Sequence, residues 1–122
     1  MEDDLKDLKS HYLYLEKVLS ERFINRIVYE ASIGLLEKMP DMPIPMACTG
    51  PDGRMLYSWD NKQHHFEAEF FPDGKIEFFS MDRKTNEDNL HIIEFKSGKC
   101  FPDLNLDLKE LKERFSARTS SV

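Results

Sequence analysis

Residues 54–82 read RMLYSWDNKQHHFEAEFFPDGKIEFFSMD, and the alternation inside this stretch decides the fold. Three runs, Arg54 to Trp59, His65 to Phe71 and Lys75 to Asp82, alternate apolar with polar side chains in steps of two. That is the period of a half-buried strand. The runs are separated by Asp60-Asn61-Lys62-Gln63 and by Pro72-Asp73-Gly74. In the second turn proline presets φ, aspartate bonds its own backbone and glycine accepts a positive φ. Connections this short join antiparallel neighbours, so the three runs form a meander. Alternation assigns Met55, Tyr57, Trp59, Phe66, Ala68, Phe70, Ile76 and Phe78 to one face. It assigns Leu56, Ser58, His65, Glu67, Glu69, Phe71, Glu77, Phe79 and Met81 to the other. The first set is nearly all apolar and needs a cover. The second is mixed and faces water or a partner. Seven of the fourteen aromatic residues fall between Tyr57 and Phe79, which centres the core on these strands.

Upstream, Gly50-Pro51-Asp52-Gly53 is another turn, preceded by a short strand through Ile44, Met46 and Cys48. Pro43 and Pro45 place that strand at an edge, because proline cannot donate to a ladder. Downstream, Arg83 to Asn89 reads as a polar loop and Leu90 to Phe95 as the last strand. Residues 3–39 contain no proline and carry apolar residues at helical spacing: Leu5, Leu8, Tyr12, Leu15 and Leu19, then Phe23, Ile27, Ala31 and Leu35. Asp3 or Asp4 caps the start, and Met39-Pro40 ends the segment. The stretch is one long helix or two joined at the polar Ser20 to Asn25. Two fit better, since an unbroken helix of this length spans about 50 Å and outgrows a compact domain. Past Gly98, Asp107 and Glu110 have the spacing of a capping box. A short helix over 108–117 follows, then a frayed tail from Ala117 to Val122.

The predicted architecture is therefore a single α+β domain over residues 1–122. Its helical part (1–40) packs on one face of a four- or five-stranded antiparallel meander (41–98), and a short C-terminal helix (99–122, with the tail) closes an end or edge. The 122 residues carry 17 Lys and Arg against 23 Asp and Glu, a net charge of −6. Five of those six net charges lie in residues 41–98. That excess disfavours nucleic acid and anionic membranes as direct partners. No apolar run is long enough to span a bilayer, and the acidic Met1-Glu2-Asp3-Asp4 is the opposite of an export signal. A cytoplasmic chain is expected, with Cys48 and Cys100 as reduced thiols serving as small core hydrophobes.

The helix end Ala31-Ser-Ile-Gly-Leu-Leu-Glu-Lys-Met-Pro40, Pro45, Gly50-Pro-Asp-Gly53, Trp59, Phe66-Glu-Ala-Glu69, Pro72-Asp-Gly74 and Asp82-Arg-Lys-Thr-Asn-Glu87 together resemble a group of small uncharacterised prokaryotic proteins. These proteins share a helix ending in Leu-Leu and Pro, an Asp-Gly turn, a strand ending in Trp, a Glu-x-Glu strand and a Pro-Asp-Gly turn. The likeness covers about residues 28–87. It implies a helix-plus-meander fold and a prokaryotic or phage source, and no activity.

No catalytic motif emerges. Ser58, His65 and Asp60 supply the residue types of a hydrolytic triad without a strained nucleophile turn. His64 and His65 are adjacent in a strand and point to opposite faces, so they do not share a metal. No cofactor is implied and the chain is not expected to be an enzyme. The chemistry that remains is a surface. Glu67, Glu69 and Glu77, with Phe71, Phe79 and Met81 as apolar anchors and Asp82 at the rim, complement a basic groove. The expected function is a non-catalytic inhibitor of antitoxin, immunity or phage anti-defence type, docking on a nucleic-acid-binding protein or nuclease complex. Two other readings stand beside it. One is a homodimer or larger assembly joined through the helices. The other is a small-ligand site between sheet and helices near Trp59 and His65.

Overall fold

The computed structural model describes residues 2–115, with side chains from Asp7 onward. Helix α1 (Glu2–Ser20) and helix α2 (Arg26–Lys38) are followed by β1 (Met46–Thr49), β2 (Met55–Asp60), β3 (His64–Phe70), β4 (Lys75–Asp82) and β5 (Glu87–Glu94). A C-terminal helix, α3 (Leu108–Phe115), completes the order. The strands form one antiparallel sheet in the order β1-β2-β3-β4-β5. The fold is thus α+β with a five-stranded meander.

The helical third splits where polarity predicts. Arg22 takes a left-handed φ of 65° and Asn25 caps α2, its side chain accepting from the Val28 N–H at 2.9 Å. Met39 caps the other end, one residue before Pro40. Leu15 and Val18 of α1 and Val28, Ala31 and Leu35 of α2 are buried against the sheet. Their cover falls on the face formed by Met55, Tyr57, Trp59, Phe66, Ala68, Phe70, Ile76 and Phe78, every one of them buried. Gly34 allows Phe101 to lie on α2, since a Cβ there would sit 2.5 Å from its ring. Helix α3 closes one end of the same face. Phe115 packs edge-on to His64, and the Asn61 amide donates to the Arg114 carbonyl. Asp107 caps α3 by accepting from the Glu110 N–H, whereas the Glu110 carboxylate pairs with Arg114 instead of closing the box.

Three expectations are corrected. The polar loop after Asp82 is shorter than read, because β5 begins at Glu87 and pairs fully with β4. Asp82 accepts from the Lys84 and Thr85 N–H groups, and Asn86 adopts a φ of 62°, so four residues suffice to turn the chain. Glu87, Asp88 and Asn89 are polar because they lie on an edge strand, open to water. The strand limits also shift: β1 starts at Met46, not Ile44, and β3 ends at Phe70, not Phe71. Both cysteines are exposed. Cys48 shares the outward parity of Met46, and Cys100 sits in the loop after Gly98, so neither fills the core. The side chains of Asp3, Asp4 and Leu5, the expected extension of the helix over 116–117 and the expected C-terminal tail lie outside the described residues.

Candidate functional site

The helices leave one face of the sheet uncovered by any described element. Register arranges it in rows. One row runs Cys48, Leu56, Glu69, Glu77, Ile92; the next runs Met46, Ser58, Glu67, Phe79, Leu90; the third runs Asp60, His65, Met81, Asp88. Apolar side chains stand open on it, with Met46 at 76%, Leu90 at 59% and Ile92 at 49% of full exposure. Carboxylates surround and interrupt them. The face is therefore an apolar strip with an acidic frame, spread over all five strands.

Three of the carboxylates are partly neutralised on the face itself. The His65 ring lies between two acids, Nδ1 at 3.0 Å from Asp60 Oδ1 and Nε2 at 3.0 Å from Glu67 Oε2. Arg83 holds the same Asp60 oxygen at 2.6 Å. Partial burial opposes charging His65, but the hydrogen bonds to Glu67 and Asp60 outweigh it and raise its pKa above the ordinary histidine value. Slight desolvation of Asp60 is likewise outweighed by the bond to Arg83, and its pKa is lowered. Arg54 approaches Glu69 at 3.6 Å and lies over the Phe71 ring at 5.4 Å. Glu77 has no ion-pair partner among the described residues and sits directly opposite Glu69 in the ladder. Like charges placed so oppose folding.

Of the residues singled out from sequence, Glu67, Glu69, Glu77, Phe79 and Met81 share this face. Phe71 stands just past the end of β3, under Arg54. Asp82 is elsewhere: it pairs in register with His64 on the covered side and caps the β4–β5 turn. Residues not singled out are Met46, Leu90, Ile92, Asp88 and Glu94. The adjacent apolar pair Ile92-Ile93 hides which parity of β5 points outward, and only pairing with β4 resolves it.

The triad residue types do not assemble. The His65 nitrogen that would take a serine proton faces Glu67, and its other nitrogen faces Asp60. Trp59 is buried between Tyr57 and Phe66, its indole N–H donating to the Pro43 carbonyl at 2.7 Å. An open cleft of about 640 Å³ lies beside it, bordered by Ile44, Asp60, His65, Arg83 and Phe115. Among the described residues, no group of three or more His, Cys, Asp or Glu is placed to hold a metal ion, and no helix is long and apolar enough to cross a membrane. Comparison with family models, with curated proteins and with solved structures finds no match for this chain.

Proposed function

We propose that the chain is a non-catalytic protein-binding module whose uncovered sheet face docks on a basic surface of a nucleic-acid-binding protein. An antitoxin, an immunity protein or a phage inhibitor of a nuclease complex would act in this way. The reading places the chain in the cytoplasm. The observation that carries it is Glu69 opposite Glu77 on an exposed face that also presents Leu90, Ile92 and Met46. An uncovered apolar strip favours burial by a partner. The carboxylate frame selects a cationic one and steers its approach. Repulsion between Glu69 and Glu77, unfavourable in the free chain, becomes attraction once a lysine or arginine sits across them. Direct nucleic-acid binding is disfavoured by the same carboxylates, which repel phosphates.

The test is affinity capture with the wild-type chain and with a Glu67→Lys, Glu69→Lys, Glu77→Lys variant. The wild type should retain a basic nucleic-acid-binding protein that the variant loses. An unchanged set of captured proteins, with the variant's circular dichroism intact, would overturn the reading.

A further inference from the structure

The two edges of the sheet are unlike. Strand β1 has four residues, begins directly after Pro45 and ends one residue before Gly50-Pro51. Strand β5 has eight residues and no proline. Short, proline-flanked edges resist pairing with another chain, whereas long regular ones invite it. The Phe95 N–H donates to the Gly74 carbonyl at 2.8 Å, and the register is unbroken from that pair to Asp82 and Glu87. In an antiparallel ladder this parity turns the N–H and C=O groups of the odd residues of β5 toward β4 and those of Asp88, Leu90, Ile92 and Glu94 outward. The same four residues carry their side chains on the uncovered face. No described backbone group pairs with their outward edge.

We propose that β5 receives an added antiparallel strand from the basic partner, with the pattern basic-x-apolar-x-apolar-x-basic. The proposal rests on the docking reading above and specifies the partner's segment. Opposite Leu90 and Ile92 the incoming strand places apolar side chains, and opposite Asp88 and Glu94 it places lysine or arginine. Its backbone takes up the outward hydrogen-bonding groups of β5, and its apolar side chains extend the strip past Phe79 and Leu90. A second copy of this chain fits the edge poorly. Antiparallel self-pairing that sets Leu90 against Ile92 also sets Asp88 against Glu94 twice. Sliding the pair by two residues either way puts Leu90 or Ile92 opposite a carboxylate.

The test uses the full chain, isotope-labelled for NMR, and a blocked synthetic peptide, Lys-Thr-Val-Thr-Val-Thr-Lys. Saturable binding should shift and protect the Leu90 and Ile92 amides. It should weaken roughly tenfold in Ile92→Pro, which deletes an outward N–H but no bond to β4. Leu90→Lys, which leaves every backbone group in place, should weaken it similarly. The peptide Glu-Thr-Val-Thr-Val-Thr-Glu should not bind. Shifts confined to β2 and β3, no saturable binding, or β5 amides already protected in a concentration-dependent dimer would each overturn the proposal. Capture separates it from its premise. If the triple lysine variant loses the basic partner while Ile92→Pro keeps it, docking stands and strand addition falls. If the triple variant keeps it, docking falls.

Discussion

The two faces of the sheet are built from the same strands and obey opposite rules. On the covered face, Tyr57 meets Phe70 edge-on at 4.9 Å and Phe66 stacks with Phe78 at 5.9 Å, with helices above them. On the other, Phe79 stands beside Glu67 and Leu90, and the nearest aromatic group is the His65 ring at 6.5 Å. One face has been optimised for burial within the chain. The other leaves Met46, Leu90 and Ile92 open to water among carboxylates, and on this feature the proposed docking rests.

The sharpest contrast comes from deleting one ring on each side. Phe70→Ala should cost about 3–5 kcal/mol in urea unfolding, because a fully buried ring leaves a cavity. Phe79→Ala, nine residues along, should cost about 1 kcal/mol or less, because its site stays open to water. Equal losses would mean that the uncovered face is part of the core. A smaller effect within the covered face comes from Tyr57→Phe. The Tyr57 hydroxyl lies 3.0 Å from His11 Nε2 and 3.4 Å from the Ser32 carbonyl, so its removal strands a buried imidazole and should cost about 1–3 kcal/mol.

Histidines separate the faces by the sign of their pH response. Burial lowers the pKa of His11 on the covered side. His64 is lowered too, first by desolvation and then by Arg114. Unfolded histidines take up protons that these two resist. Stability is therefore intact above the ordinary value of 6.5 and falls as pH drops below it. His65 on the open face has the opposite sign: its contribution is present below 6.5 and is lost as pH rises through its raised folded value. Urea midpoints should thus fall between pH 7 and pH 5. In His11→Gln the fall should be smaller, and in His65→Gln steeper. A fall unchanged by His11→Gln would show that the Tyr57 pair does not govern acid stability.

Most of this division was legible in residues 54–82. Alternation sorted Met55 to Trp59, His65 to Phe70 and Ile76 to Met81 onto their faces, because each strand has one face that is almost purely apolar, while Phe71 falls beyond β3. The helix break was legible in the polar Ser20 to Asn25, and the β1–β2 and β3–β4 turns in Asp52-Gly53 and Asp73-Gly74. Edges were not. Glu87-Asp88-Asn89 is polar on both sides because an edge strand has water on its flank, so local composition imitates a loop. Asp82 looked like a rim residue by sequence adjacency to Met81, yet alternation moves it to the covered side. The clasp of His65 by Asp60 and Glu67 was also hidden, since it depends on a tight β2–β3 turn and on side-chain reach rather than spacing alone.

The smallest expected effect is the most discriminating. Glu77→Gln removes one member of the opposed pair with Glu69 while preserving size and hydrogen-bonding reach. If the pair is only a repulsion that Arg54 relieves in part at Glu69, the substitution should stabilise the chain by about 0.5 kcal/mol or less and do nothing else. If the pair is kept for a cationic partner, the same gain should appear together with weaker capture of that partner. Stability and function then move in opposite directions at one residue, as they do where a binding surface is held away from its folding optimum. Glu30→Gln is the control: Glu30, half-buried on α2, pairs with Arg26 at i,i+4 and accepts from the Ser97 hydroxyl, remote from the open face. It should lower stability slightly and leave capture untouched. A gain at Glu77 with full capture would reduce the open face to an imperfect surface, and the contrast between the two faces would then be a matter of packing alone.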